Sequence, residues 1–151
     1  MSLHIFKQEM TIDKPIEEVF SFFSNAENLN KLTPPILDFK ILTPLPIAMK
    51  RGALIDYKIK LNGIVFKWKT KITAWEPNKR FEDTQLKGPY KVWIHEHLFE
   101  VVNGKVKMTD TVTYEAPGGF LEPLINKFYI SKKVAEIFEF RTKMLEEFFK
   151  K

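Results

Sequence analysis

The sequence predicts an α+β fold in which a curved antiparallel sheet of about seven strands packs on a long C-terminal helix. Several segments between residues 37 and 116 alternate apolar and polar side chains, which is typical of half-buried strands. Two Asn-Gly pairs, Asn62-Gly63 and Asn103-Gly104, separate such segments and favour two-residue hairpins. From Glu122 onward, apolar residues recur at helical spacing.

The N-terminal part of the chain predicts one strand followed by two short helices. Residues 4–13 alternate as a strand does, and the segment 13–15 then predicts a helix start, with Asp13 as a side-chain acceptor and proline near the first turn. The inward side of this helix carries Ile16, Val19, Phe20 and Phe23. A second short helix is predicted over residues 25–32, and prolines 34 and 35 end it.

The middle of the chain predicts the rest of the sheet. The strands are expected at residues 37–42, 53–61, 64–75, 80–87, 90–102 and 105–116. The helix that follows has its predicted inward stripe at Leu124, Phe128, Ala135, Phe138, Leu145 and Phe149, widened by Val134, Ile137, Met144 and Phe148. No linker or repeat interrupts the pattern, so residues 1–151 are expected to form a single domain.

The hairpin around Asn103-Gly104 has a register that follows from its turn. Counting back from the turn places His97 opposite Asp110, His95 opposite Val112 and Trp93 opposite Tyr114. Because side chains alternate across a strand, these residues share one face with Phe99 and Met108. The sequence therefore predicts an apolar, aromatic wall that contains a His–Asp pair.

Applying the same face assignment to the other strands gives a set of candidate ligand-binding residues. Polar groups interleaved with aromatic rings indicate the lining of a cavity, whereas a solid core tolerates few of them. A solid aromatic core is the alternative. The candidates are Tyr57, Phe66, Trp68, Asp83, Gln85, Trp93, His95, His97, Phe99, Met108, Asp110, Tyr114 and Arg141.

The polar candidates allow more than one chemistry. His97 oriented by Asp110 is a candidate general base; the alternative is a buried polar pair that orients a ligand or sets the strand register. His95 and His97 with Asp110 also have the residue types of a zinc site, but no fourth ligand is evident, so no metal or other cofactor is expected. Arg141 either holds a carboxylate or phenolate in the cavity, extends to the surface or pairs with an acidic neighbour.

Composition and charge bound the class of protein. The chain has no cysteine, which excludes disulfides and thiolate chemistry, and we expect a cytoplasmic protein because no signal or membrane-spanning segment is evident. The net charge of +5 comes largely from scattered lysines. A basic outer sheet face at Lys58, Lys60, Lys67, Lys69 and Lys71 is expected to be solvated, with docking to acidic lipid or nucleic acid as the alternative.

The order of elements and several local phrases resemble the helix-grip superfamily, which includes START lipid-transfer domains, birch-pollen-allergen-like proteins and aromatic polyketide cyclases. The likeness covers nearly the whole chain and is strongest to the bacterial ligand-binding branch. The phrases are Pro15-Ile16-Glu17-Glu18-Val19-Phe20, Ala26-Glu27-Asn28-Leu29, Leu32-Thr33-Pro34-Pro35, Arg80-Phe81-Glu82-Asp83, Gly88-Pro89-Tyr90, Trp93 with His95, His97 and Phe99, and Phe138 with Arg141.

This resemblance implies an elongated pocket for an apolar ligand between the sheet and the C-terminal helix. Because the superfamily holds carriers, receptors and enzymes, the fold does not specify one activity. We expect a binder of a small hydrophobic molecule, with a cyclase- or dehydratase-like enzyme using His97 as the alternative. No nucleic acid and no stable membrane insertion are expected, and the chain is predicted to be a monomer or a homodimer. Residues 117–119 and 88–89 are candidate gates.

Overall fold

The computed structural model describes residues 3–61 and 63–150. Seven antiparallel strands form one sheet in the order β1-β7-β6-β5-β4-β3-β2. The first strand therefore pairs with the last, and β2 lies at the opposite edge. The strands are β1 (His4–Ile12), β2 (Lys40–Ile41), β3 (Leu54–Leu61), β4 (Ile64–Glu76), β5 (Arg80–Lys87), β6 (Val92–Val102) and β7 (Lys105–Glu115). This architecture, with a long C-terminal helix, confirms the predicted helix-grip fold.

The two predicted short helices are present, but the first differs from the prediction in its cap and in its buried side, where Phe22 is buried and Ile16 only partly so. Helix α1 (Ile16–Phe23) has Pro15 at its N-cap, and no side chain caps it, so the expected role of Asp13 was wrong. Its buried side carries Val19, Phe20, Phe22 and Phe23. The second element is a 3₁₀ helix, Ala26–Leu32, whose N-cap Asn25 accepts a hydrogen bond from the Glu27 N–H.

The edge strand β2 is much shorter than the segment 37–42 that the pattern predicts. A 3₁₀ turn occupies Pro35–Leu37, and Asp38 then adopts a left-handed conformation with φ of 46°. A strand cannot begin until the chain has left this turn. Lys40 and Ile41 then pair with β3, and the N–H groups of Leu42 and Thr43 both donate to the Asp56 carbonyl.

Both Asn-Gly hairpins join strands in the expected register. Asn103 and Gly104 have φ of 54° and 78°, as a turn with two positive φ values requires. His97 consequently lies opposite Asp110, as predicted. In the other hairpin Leu61 pairs with Ile64, while Asn62 lies outside the described residues.

The C-terminal helix is continuous but changes its pitch near the start. It comprises a 3₁₀ turn (Gly119–Leu121), helix α2 (Glu122–Ile125), a π turn (Asn126–Ile130) and helix α3 (Ser131–Phe148). The wider π turn shifts which side faces the sheet. The inward stripe is therefore Glu122, Asn126, Val134, Phe138, Arg141, Leu145 and Phe149.

Four residues of the predicted stripe, Leu124, Phe128, Ala135 and Phe148, are exposed. Leu124 and Phe128 are 57% and 65% exposed, and Ala135 also faces solvent. For Leu124 and Phe128 the reason is the π turn, because a regular helical period extended through residues 126–130 places them on the wrong side; Ala135 and Phe148 lie on the solvent side of α3 itself. None of the described helices combines the length and apolar character needed to cross a membrane.

A buried carboxylate fixes the start of the C-terminal helix to the sheet. Glu122 is fully buried, and its two carboxylate oxygens lie 2.8 and 3.0 Å from His4 Nε2. One of these oxygens also accepts a hydrogen bond from the Ala116 N–H at 2.8 Å. Nearby, the Tyr114 hydroxyl donates to Asn126 Oδ1 at 2.7 Å. These bonds hold the helix start against β1 and β7.

We predict that Glu122→Ala lowers the free energy of unfolding by about 2–3 kcal/mol, because it leaves the buried Ala116 N–H without an acceptor. Urea denaturation followed by tryptophan fluorescence measures this. The matched control is Glu136→Ala, an exposed helical glutamate, for which a change within about 0.5 kcal/mol is expected. Equal effects of the two substitutions would contradict the proposed role of Glu122.

Candidate ligand-binding site

A cavity of about 150 Å³ lies between the inner face of the sheet and the helical segments. Strands β3 to β6 form one side, and α1, the 3₁₀ helix Ala26–Leu32 and α3 form the other. An apolar cavity of this size is large enough for a small aromatic ring. The sequence left open whether the aromatic side chains fill a solid core, and the structure contains a cavity.

Seven of the predicted residues lie in the wall of this cavity. They come from β3, β4, β5 and β6, whose inner faces the alternation pattern identified, and from α3. They are Tyr57, Trp68, Asp83, Trp93, His95, His97 and Arg141. That these side chains bind a ligand stays a prediction.

The other six predicted residues lie outside the wall. Phe99 and Met108 pack in the core cluster that contains the phenylalanines of α1. The side chain of Gln85 bonds to the backbone of the nearby Tyr90. Its amide nitrogen donates to the Tyr90 carbonyl, and its amide oxygen accepts from the Tyr90 N–H. The remaining three, Phe66, Asp110 and Tyr114, pack beside wall residues without lining the cavity.

Part of the wall was missed by the sequence reading. Phe81 shares a strand face with Asp83, so the alternation contained a signal for it. The helical contributions had no comparable signal, since they depend on how the helices dock on the sheet. The missed helical residues include Phe22, Phe23, Leu29, Leu32, Ile137 and Phe138.

Two histidines, two aspartates and one arginine form a polar cluster at one part of the wall. His95 Nε2 lies 2.8 Å from Asp110 Oδ1, and His97 Nε2 lies 2.9 Å from Asp83 Oδ2. His97 Nδ1 is 3.3 Å from both Asp110 Oδ1 and Arg141 Nη2. Both ring nitrogens of His97 therefore face charged neighbours.

This pairing differs from the expected one although the strand register is right. His97 lies directly opposite Asp110, yet the shortest contacts run diagonally, from His95 to Asp110 and from His97 to Asp83. Diagonal neighbours on adjacent strands are within reach of long side chains. The predicted His97–Asp110 pair is therefore one contact within a larger network that includes Asp83.

The ring of His97 is held by stacking as well as by its polar contacts. The Phe81 ring lies 3.9 Å from it at an interplanar angle of 12°, and the His95 ring lies 3.7 Å from it at 28°. His97 and His95 are both almost fully buried. The imidazole of His97 is thus held between two flat neighbours and has little room to turn.

Arg141 extends into the cavity wall and not to the surface. Only 8% of it is exposed, and its guanidinium lies 5.6 Å from the centre of the Phe23 ring and 5.7 Å from that of Phe138. Its Nη2 is 3.9 Å from Asp110 Oδ1. The Asp110 carboxylate therefore partly neutralises the charge of Arg141 in the protein without a ligand.

The surroundings in this cluster lower the pKa values of Asp83, His95 and Asp110. Burial by itself raises the pKa of Asp110, but the Arg141 charge and hydrogen bonds from both histidines hold it well below its usual value. Burial also opposes ionisation of Asp83, but the hydrogen bond from His97 and the charge of Arg141 lower its pKa overall. Two carboxylates thus remain ionised beside one guanidinium. For His95, burial and the neighbouring His97 lower the pKa to about 4 despite the bond to Asp110.

Asp83, His95 and His97 also bring three possible metal-ligand atoms within 4.8 Å of one another. The geometry does not favour coordination, because two stacked imidazoles direct their in-plane lone pairs side by side and not toward one point. The guanidinium of Arg141 beside them adds repulsion toward a cation. The cluster is better described as a hydrogen-bonded network.

Comparison with known families decides the family of this chain. Residues 12–149 match the model of the family described as polyketide cyclase / dehydrase and lipid transport. The chain belongs to this family. A search of curated proteins finds no significant match.

Solved structures of other proteins share the fold of this chain. Protein TTHA0849 from Thermus thermophilus has a TM-score of 0.75 and 18% identity over 95% of both chains. The Zhui aromatase/cyclase from Streptomyces sp. R1128 has a TM-score of 0.68 and 11% identity, covering 96% of this chain and 95% of its own. Ginseng major latex-like protein 151 from Panax ginseng has a TM-score of 0.71 and 11% identity over 99% of both chains. At these identities the likeness concerns the fold alone.

The low pKa of His95 predicts a loss of stability in mild acid. An unfolded histidine gains a proton below about pH 6.5, whereas folded His95 stays neutral down to about pH 4. Unfolding is therefore favoured as the pH falls, and we expect a loss of about 2 kcal/mol between pH 7 and pH 5. Urea denaturation at the two pH values measures it.

His95→Gln should flatten this pH dependence. If the wild type and His95→Gln lose the same stability between pH 7 and pH 5, the neutral state assigned to His95 is wrong.

Proposed function

We propose that this chain binds a small hydrophobic molecule, with an aromatic or similarly flat body, in the internal cavity. One observation carries the proposal: a cavity walled largely by aromatic and aliphatic side chains has its charged side chains and its histidines gathered in one cluster. Burial of apolar surface supplies the affinity in such a site, and a few placed polar groups select the ligand.

The aromatic side chains suit a flat ligand because their rings present both faces and edges to the cavity. Trp68 meets Trp93 edge-on with ring centres 5.5 Å apart, and Tyr57 stacks on Trp68 at 5.7 Å. Aromatic pairs of these two kinds are the favoured arrangements, and a bound ring can extend them. The cavity volume favours one or two rings over a long acyl chain.

Asp83 is the polar wall residue best suited to contact a ligand. Its side chain lines the cavity and is less buried than that of Asp110, while Asp110 lies behind the wall. An ionised carboxylate accepts hydrogen bonds only, so a ligand with a hydroxyl or an N–H group fits it. Tyr57 stays an uncharged phenol, because burial and the Asp83 charge both raise its pKa.

An enzymatic role for His97 has less support. A general base needs a nitrogen lone pair directed at the substrate, and both nitrogens of His97 already face Asp83, Asp110 or Arg141. The aromatase/cyclase among the structural neighbours keeps this alternative worth testing. Binding without turnover is the function that the geometry supports best.

Filling the cavity should abolish binding. Leu29 lies in the wall on the 3₁₀ helix and is only partly buried, so Leu29→Trp can place a large ring in the cavity. We expect at least a tenfold weaker affinity for 2-naphthol, a neutral two-ring probe, by isothermal titration calorimetry. Leu86→Trp, at an exposed strand position, is the matched control and should bind as the wild type does. Unchanged binding by Leu29→Trp would rule out this cavity as the site.

Native mass spectrometry of protein purified from its own host identifies the ligand, and His97→Gln then separates the two functions. With the identified molecule we expect His97→Gln to weaken binding about tenfold, because Asp83 loses its partner and the polar cluster rearranges. We expect no turnover by either protein. Turnover by the wild type that disappears in His97→Gln while the affinity is retained would establish the enzyme instead.

A further inference from the structure

We propose that the start of the C-terminal helix docks reversibly on an anionic lipid bilayer through an apolar ridge. The ridge consists of Phe120, Leu121, Leu124, Ile125 and Phe128. This inference goes beyond the cavity function and does not depend on it, since the ridge and the cavity wall share no residue.

The exposure of the ridge is unusual for a helix packed on a sheet. Phe120 is 92% exposed, and Phe128 and Leu124 are 65% and 57% exposed. Farther along, the outer side of α3 carries lysines and glutamates, as expected of a solvated helix. A contiguous apolar surface of this kind on a folded domain indicates an interaction site.

The charges around the ridge identify the kind of partner. Glu122 is the only acidic residue between Gly119 and Ala135, and it is fully buried against His4 and Ala116. The charged side chains that reach the surface there are Lys127, Lys132 and Lys133. A helix face with bulky apolar residues and flanking lysines is suited to the interface of an anionic membrane.

A second copy of the chain fits this surface less well. A two-fold dimer would place the same ridge on both partners, which brings the lysine groups of the two copies near each other. Like charges placed together in this way oppose association. A bilayer with anionic headgroups instead supplies the opposite charge next to an apolar interior.

The end of the sheet can add a second apolar contact. The C-terminal helix starts just after the end of β7, where Glu115 pairs with Val92 at the start of β6. At this same end of the sheet β5 ends and β4 begins, as the pair of Lys87 and Lys69 shows, so the β3–β4 hairpin also lies there. Ile64 and Val65 at this hairpin are 60% and 56% exposed.

Vesicle sedimentation tests the proposal with the full chain. We expect binding to vesicles of 70% phosphatidylcholine and 30% phosphatidylglycerol at 0.1 M salt, with weaker binding to pure phosphatidylcholine. Raising the salt to 0.5 M should reduce the difference, because screening removes the electrostatic part. An absence of binding to the anionic vesicles would overturn the proposal.

Two sets of variants separate the apolar and ionic parts. Phe120→Ser with Phe128→Ser should weaken partitioning at least about tenfold. Lys127→Gln with Lys132→Gln should remove most of the preference for phosphatidylglycerol. The matched control is Val101→Ser with Val102→Ser, at the exposed β6–β7 end of the sheet, and it should bind as the wild type does.

Two other results would also overturn the proposal. One is undiminished vesicle binding by the double serine variant of the ridge. The other is a dimer, seen by analytical ultracentrifugation at micromolar concentration, that this variant dissociates, which would assign the ridge to self-association.

Discussion

The pairing of β6 with β7 in a single register is the constraint on which the inner surface of this protein depends. The Asn103-Gly104 turn sets that register, and the alternation of strand side chains then places Trp93, His95 and His97 on the inner face. A slip of one residue would turn the histidines outward and leave Arg141 without its partners. The aromatic wall and the polar cluster are thus consequences of the same hairpin.

The polar cluster shows how a buried network can hold a histidine in place without leaving it free to react. Each aspartate lies within hydrogen-bond distance of a histidine, and Arg141 supplies the positive charge that keeps Asp110 ionised. Stacking between Phe81 and His95 leaves the ring of His97 little movement. Such a network supports selection of a ligand more readily than proton transfer, because both ring nitrogens of His97 already have partners, whereas the buried Arg141 Nε has none among the described residues.

The two parts of the C-terminal helix, before and after Val134, differ in what their inner and outer sides contact. From Val134 onward its inner side closes the cavity, and its outer side is charged. Before that point a buried glutamate holds the helix to the sheet, and the outer side is apolar. The π turn Asn126–Ile130 lies between these two parts and rotates the buried side of the first part relative to that of the second. The buried sides of both parts therefore face the sheet.

The sequence by itself determined the fold class, the strand order along the chain, the hairpin registers and the inner faces of the strands. These follow from local rules, namely alternation with a period of two and turn residues that adopt positive φ. Only the tertiary structure decided that Asp83 joins the histidine cluster, that Gln85 serves the Tyr90 turn and that Phe22, Phe23 and Phe138 complete the wall. Those facts depend on diagonal contacts between strands and on helix docking. Both are set by packing among residues far apart in the chain, which no local pattern records.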